Sequence, residues 1–303
     1  MNRGPLPTHG RFDFSPIGER PDYSWPGGKR LALWITTNIE TFGYGLEGPT
    51  LGNPLPMPDQ RNWSWREYGN RVGIWRMLEL ADQFSFPLAH QINSYLYDTH
   101  PQIMAAIAQR PHDEIMGHGR TNSEKPGMRP EAEERALIAE ATDAIRKHEG
   151  KAPAGWMTPL QAESPLTPDL LKEAGYKYCV SYPCDDQPHF MKTRSGPLLN
   201  VPYAVETNDF VSVIHLRQDA PVYADIVLRQ YDEMLEQSQR QPLVLAISLH
   251  TFIMGQPHRL AVLRDMFRRI ASHKHFDRVW LTTPGAIADH CIGLKPGIVP
   301  GSR

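Results

Sequence analysis

The run Leu243–Leu249, LVLAISL, constrains the fold more than any other segment. It is seven residues, nearly all apolar, the pattern of a strand buried on both faces. Strands of this kind belong to parallel sheets covered by helices, so the chain reads as α/β.

The rest of the sequence supports that class. Leu31–Ile35 reads as the first strand, followed by a Gly/Pro-rich loop from Gly43 to Asn62 that is long enough to be a lid or substrate loop. Val72, Trp75 and Leu78 at helical spacing predict a helix over Arg71–Asp82. Strands are predicted at Phe86–Gln91, Glu114–Met116, Ala152–Trp156 and Lys177–Ser181, with extended runs at Leu198–Tyr203 and Val211–Leu216 and a last strand at Val279–Thr282. The clearest helix is Glu131–Glu149. Pro130 and three early glutamates suit its positive end, Arg146 and Lys147 suit its negative end, and Gly150 stops it. Its apolar stripe is Leu137, Ile138, Ala141, Ala144 and Ile145. Seven or eight β–α units without a composition break fit one closed parallel barrel. A doubly wound sheet is the rival, but no GxGxxG or Walker pattern supports its nucleotide-binding form. We therefore expect a single domain over residues 1–303, with 1–28 as an extended N-terminal arm.

Lys plus Arg is 32 against 34 for Asp plus Glu, which argues against a nucleic-acid binder, since that would need a basic face. The three cysteines, Cys179, Cys184 and Cys291, form no CxxC and no disulfide framework. No apolar stretch reaches the ~18 residues of a membrane span, and the polar start lacks a secretory h-region. These features point to a cytoplasmic protein without a membrane partner.

Active sites of parallel barrels form at the C-terminal ends of the strands. The residues that follow the predicted strands are Thr37, Asn38 and Glu40; His90, Gln91 and Asn93; His118, Arg120 and Asn122; Trp156 and Thr158; Tyr182, Asp185 and Asp186; and His250. Those that precede strands, such as Lys29, Arg30, Lys151 and Arg278, are ordinary solvating groups. This asymmetry points to an enzyme. His118, between two glycines, suits a metal ligand or an acid/base group. His250 closes a buried strand, a good place for a general acid or base. Glu40 can serve as base, ligand or partner to a histidine. Asn38 can orient substrate or cap a turn, and Asp186 can be an acid/base group or a turn former. Trp156, Phe252 and Met254 can wall a pocket or simply pack.

In combination these segments resemble the polysaccharide deacetylase superfamily, also called the NodB-homology or carbohydrate esterase family 4 fold, and within it the cofactor-independent allantoinase branch. The resemblance is carried in order by WPGGKRLALWITTNIE, GHGRTN, the Glu131–Glu149 helix, GWMTP, YPCDDQPHF, VPYAVETND and SLHTFIMGQPHRL, and runs from about Trp25 to His290. It implies a distorted (β/α) barrel, a homo-oligomer, and hydrolysis of a non-peptide C–N bond in an N-acetyl group or a cyclic amide. In metal-dependent relatives an aspartate and two histidines four apart hold zinc or a similar ion. Here Asn38 and Glu40 replace paired aspartates, and Asn122 stands where the second histidine would be. An amide oxygen is a poor zinc ligand beside imidazole.

The resulting expectation is a hydrolase of a small amide or cyclic ureide that needs no cofactor. Glu40 and His118 would position or activate water, and His250 would protonate the departing nitrogen. Asn122 and Arg120 would hold carbonyl oxygens. Asn38, Thr158 and Asp186 would contact substrate, and Trp156, Phe252 and Met254 would form an apolar wall. Two alternatives stay open. One is a metal-dependent N-deacetylase of a sugar or amino sugar, with a zinc ion on Glu40, His118 and Asn122. The other is a catalytically inactive barrel that binds a small molecule.

Overall fold

The first strand organises the sheet in the computed structural model, which describes residues 6–302. Strand β1 is Leu31–Ile39 and all nine of its residues are buried. The others are β2 (Ala89–Ile92), β3 (Glu114–Gly117), β4 (Gly155–Trp156), β5 (Tyr178–Cys179), β6 (His189–Met191), β7 (Leu198–Asn200), β8 (Leu243–His250) and β9 (Val279–Thr282). They form one curled sheet in the order β6-β7-β5-β4-β3-β2-β1-β8, with β9 also on β1. Every ladder is parallel except the β6–β7 pair, an antiparallel ribbon the sequence pattern did not suggest. The helices and this curled sheet make a distorted (β/α) barrel.

Strand β8 runs along β1 from Leu31 to Asn38. It takes one edge of β1, so two strands share the other edge: β9 pairs with Leu31–Trp34 and β2 with Thr36–Ile39. The expected closed barrel is therefore corrected. Along the far edge of β8 the partners are loops: Ser248 donates its N–H to the Thr207 carbonyl (3.1 Å) and Val244 donates to that of Asp186 (2.9 Å). A buried backbone edge must be satisfied, and these loops do it where no strand lies.

Several elements differ from their sequence-based bounds. Strands β4 and β5 are only two residues long. Helix begins at Gln60, where Asp59 accepts from the Asn62 N–H (3.0 Å), so the long loop stops short of Asn62. The helix passes through a π turn at Gly69–Gly73. The extra residue rotates the helical face, burying Ile74, Met77 and Leu78 while leaving Trp75 40% exposed. The run Val211–Leu216, expected to be extended, lies mostly in a π-helical turn over Phe210–His215. Short apolar runs do not distinguish the two by period. The Glu131–Glu149 helix forms as its charges predict, and Gly150 closes it in the left-handed region (φ 70°).

Of the segment expected as an arm over 1–28, residues 1–5 lie outside the described residues. The remainder is tied to the barrel. Arg11 forms a fork on Asp169 (2.8 and 2.6 Å), Arg20 one on Asp185 (2.7 Å twice), and the Trp25 indole donates to the Leu243 carbonyl (3.1 Å). Among the described residues no helix is long and apolar enough to cross a membrane.

Candidate active site

The C-terminal ends of β1, β3 and β8 meet at a cavity of about 240 Å³. Asn38, Glu40, His118, Asn122 and His250 all line it. Just beyond β1, Glu40 is 5% exposed and accepts from the Asn122 amide (2.6 Å). The Asn122 N–H in turn donates to the Thr41 carbonyl (2.8 Å). Asn93 clamps the two loops together, accepting from the Thr41 N–H (2.8 Å) and donating to the His118 carbonyl. Asn38 donates to Ser248 Oγ (3.0 Å) and to the Leu249 carbonyl (3.2 Å).

The two histidines are held differently. His118 Nδ1 lies 2.8 Å from the Met157 carbonyl, which can only accept, so Nδ1 carries the proton and Nε2 presents a lone pair. That Nε2 has no hydrogen-bond partner and faces Glu40 Oε1 at 3.6 Å. Gly117 makes room for this arrangement, because a β-carbon there would lie 2.7 Å from the Trp156 ring. His250 instead gives both its backbone N–H and its Nδ1–H to Asp209, each at 2.7 Å. Its Nε2 faces the same Glu40 oxygen at 3.7 Å. Burial alone would lower the His250 pKa, but the carboxylates of Asp209 and Glu40 outweigh it and hold the imidazole above its ordinary range. His118 is thus set up to accept a proton and His250 to donate one.

The other expected contacts are corrected. Arg120 points outward to Glu124 (2.7 Å), because its loop turns at Gly119 (φ 68°) and sends it to solvent. Trp156 and Thr158 are fully buried behind the cavity, where the indole donates to Thr158 Oγ1 (3.0 Å) and that hydroxyl donates to Glu163 (3.0 Å). Asp186 lies beside Val244, near the start of β8. That is six residues from His250, on the order of 20 Å at the rise of a strand. Phe252 packs beside the His250 ring at 5.7 Å and Met254 is wholly core, since both follow His250 in a helical turn that packs against the π turn at Gly69–Gly73.

Sequence reasoning missed Asp209, Tyr203, Phe210, His215, Leu160 and Gln161. Asp209 sits in the ETND segment, and its one legible signal is a carboxylate in a motif ordered just before the His250 strand. The apolar lining comes from Met157, Leu160, Phe210 and Val211.

Among the described residues no group of three His, Cys, Asp or Glu side chains is placed to hold a metal ion. Glu40 and His118 supply two donors. The third candidate, Asn122, turns its NH2 toward Glu40, so a donor occupies the carboxylate oxygen an ion would need. This set does not fit zinc.

No protein-family model matches the chain. It is 26% identical to a putative polysaccharide deacetylase of Schizosaccharomyces pombe over 90% of this chain and 92% of that one. The crystal structure of PuuE allantoinase superposes with a TM-score of 0.80 at 27% identity, covering 90% of this chain and 93% of that one. A probable polysaccharide deacetylase from Pseudomonas aeruginosa gives 0.77 at 26% identity, covering 89% and 93%. The relatives are described as deacetylases and an allantoinase, hydrolases of carbon–nitrogen bonds other than peptide bonds. In sequence and fold the chain is similar to polysaccharide deacetylases and to PuuE allantoinase.

Proposed function

We propose that the protein hydrolyses a small amide or a cyclic ureide, in the manner of an allantoinase, by general acid–base chemistry. The observation that carries this reading is one carboxylate oxygen facing two imidazole Nε2 atoms, at 3.6 and 3.7 Å, whose far nitrogens are backed by a carbonyl and by a carboxylate. Water between Glu40 and His118 loses a proton to that pair as its oxygen attacks the carbonyl carbon. His250 gives its Nε2 proton to the departing nitrogen as the C–N bond breaks, leaving a carboxylic acid and an amine from a simple amide or, from a cyclic ureide, a carboxylic acid and a ureido group on one molecule. Asp209 fixes the ring orientation and favours the imidazolium. A cavity of about 240 Å³ suits a small molecule better than a polymer.

The test is turnover of allantoin, hydantoin and N-acetylglucosamine by protein purified without chelator. Ring opening of a cyclic ureide that survives dialysis against EDTA is the expected result. Release of acetate that depends on added zinc would refute the reading and favour the deacetylase alternative.

A further inference from the structure

The proposed reaction needs a hydrogen-bond donor for the substrate carbonyl oxygen, and the residues first considered for it are occupied. The Asn38 NH2 is spent on Ser248 and Leu249, the Asn122 NH2 points at Glu40, and Arg120 faces solvent. Tyr203 OH pairs with Ser248 Oγ at 2.6 Å. Gln161 is different. It lines the cavity, and its Nε2 is a buried donor without a partner. A buried unpaired donor is costly, and such groups cluster where a ligand completes them.

The backbone that presents Gln161 is strained. Leu160 (φ 60°) and Gln161 (φ 54°) are consecutive non-glycine residues in the left-handed region, and both line the cavity. Strain of this kind persists only when the surroundings over-determine it. Here the Gln161 N–H donates to the Thr158 carbonyl (2.8 Å) and the Ala162 N–H to that of Pro159 (3.1 Å). The relay from Trp156 through Thr158 to Glu163 fixes both flanks of the turn. Two glycines let neighbouring segments close on it. A β-carbon on Gly127 would lie 2.1 Å from the Ala162 carbonyl oxygen, and one on Gly119 would lie 2.9 Å from the Pro159 ring. Trp156 and Thr158, displaced from the substrate wall, are thus positioning residues for this turn.

We infer that Gln161 contacts the substrate, donating from Nε2 to a carbonyl oxygen, and that the braced Leu160–Gln161 turn exists to hold its amide over the cavity. The inference rests on the same cavity being the substrate site. The experiment measures binding of allantoin, hydantoin and N-acetylglucosamine to wild type, Gln161→Leu and Gln161→Glu by calorimetry, with thermal melts and turnover alongside. Both variants are close in size to glutamine and neither carries the amide donor, so a fold failure in one leaves the other informative. The compound that binds wild type most tightly is expected to lose about 10- to 100-fold in affinity or kcat/KM in both variants, with little change in melting temperature. Unchanged affinity and turnover would overturn the inference, as would failure of all three compounds to bind wild type. A compound that binds but is not hydrolysed would defeat the hydrolase reading, while its affinity for the variants still decides the role of Gln161.

Discussion

Asp209→Asn is the sharpest perturbation of the proposed chemistry. Asp209 is fully buried, and its two oxygens take the backbone N–H and the Nδ1–H of His250. In asparagine one oxygen becomes NH2, so a donor must face a donor whichever way the amide is turned. An orphaned buried donor costs about 1–3 kcal/mol. The lost attraction for the imidazolium is larger: at an effective dielectric of about 20, opposite charges ~4 Å apart interact by about 4 kcal/mol, roughly a thousandfold in proton affinity. Burial then dominates, and the His250 pKa is expected to fall below about 6.5. Since the wild-type pKa is raised, protonated His250 stabilises the fold fully below about 6.5, and that contribution is lost as pH climbs through the raised value. Between about pH 6 and 9 the stability deficit of Asp209→Asn should therefore be greatest at the acid end. As general acid, His250 should contribute about 10²–10⁴ in rate, so kcat near neutrality should fall at least ~100-fold and the alkaline limb of its pH profile should move to lower pH. Proton NMR titration of the His250 ring, melts across that pH range and kcat–pH curves on a turned-over compound measure these effects. An unshifted His250 titration together with unchanged kcat would refute the reasoning.

Three further outcomes follow from the same geometry. Glu40→Gln should lower kcat by about 10²–10³ and also lower the His250 pKa, because Glu40 is one of the two carboxylates that raise it, and ring titration checks this without a substrate. Asn122→His should add a third donor beside Glu40 and His118, and elemental analysis should then find more bound zinc than in wild type. Gly73→Ala should destabilise by about 2 kcal/mol or more, because its β-carbon would sit 2.0 Å from the Thr251 carbonyl oxygen, where the π turn docks under His250, and a thermal melt reads the loss.

Much of the barrel was legible because long buried strands and well-capped helices carry their signal locally. LVLAISL and the Glu131–Glu149 helix formed as expected from burial period and charge placement. The β6–β7 ribbon and the two-residue strands carry no such signal, since tertiary pairing alone defines them. At the site, Asn38, Glu40, His118 and His250 come together because each closes or directly follows a strand, and Asn122 joins them from the loop after β3. The errors were residues read at the wrong depth or the wrong end. Trp156 and Thr158 sit close to a strand end but point into the core, and Asp186 follows a strand but returns to the opposite rim. Asp209 backs His250 from the start of a π turn and Gln161 reaches the cavity from a left-handed turn, conformations that residue type alone does not announce.

The shared edge of β1 has a consequence for how the chain is made. Leu31–Trp34 leave the ribosome long before their partner on that edge, Val279–Thr282. Until then the lower half of β1 is an unpaired apolar edge, a template for pairing with the wrong chain. The upper half, which carries Asn38 and leads to Glu40, gains β2 much sooner, from a strand that follows it closely in the sequence. The two ends of β1 are therefore completed at different points of synthesis, the end that leads to Glu40 before the end that β9 covers.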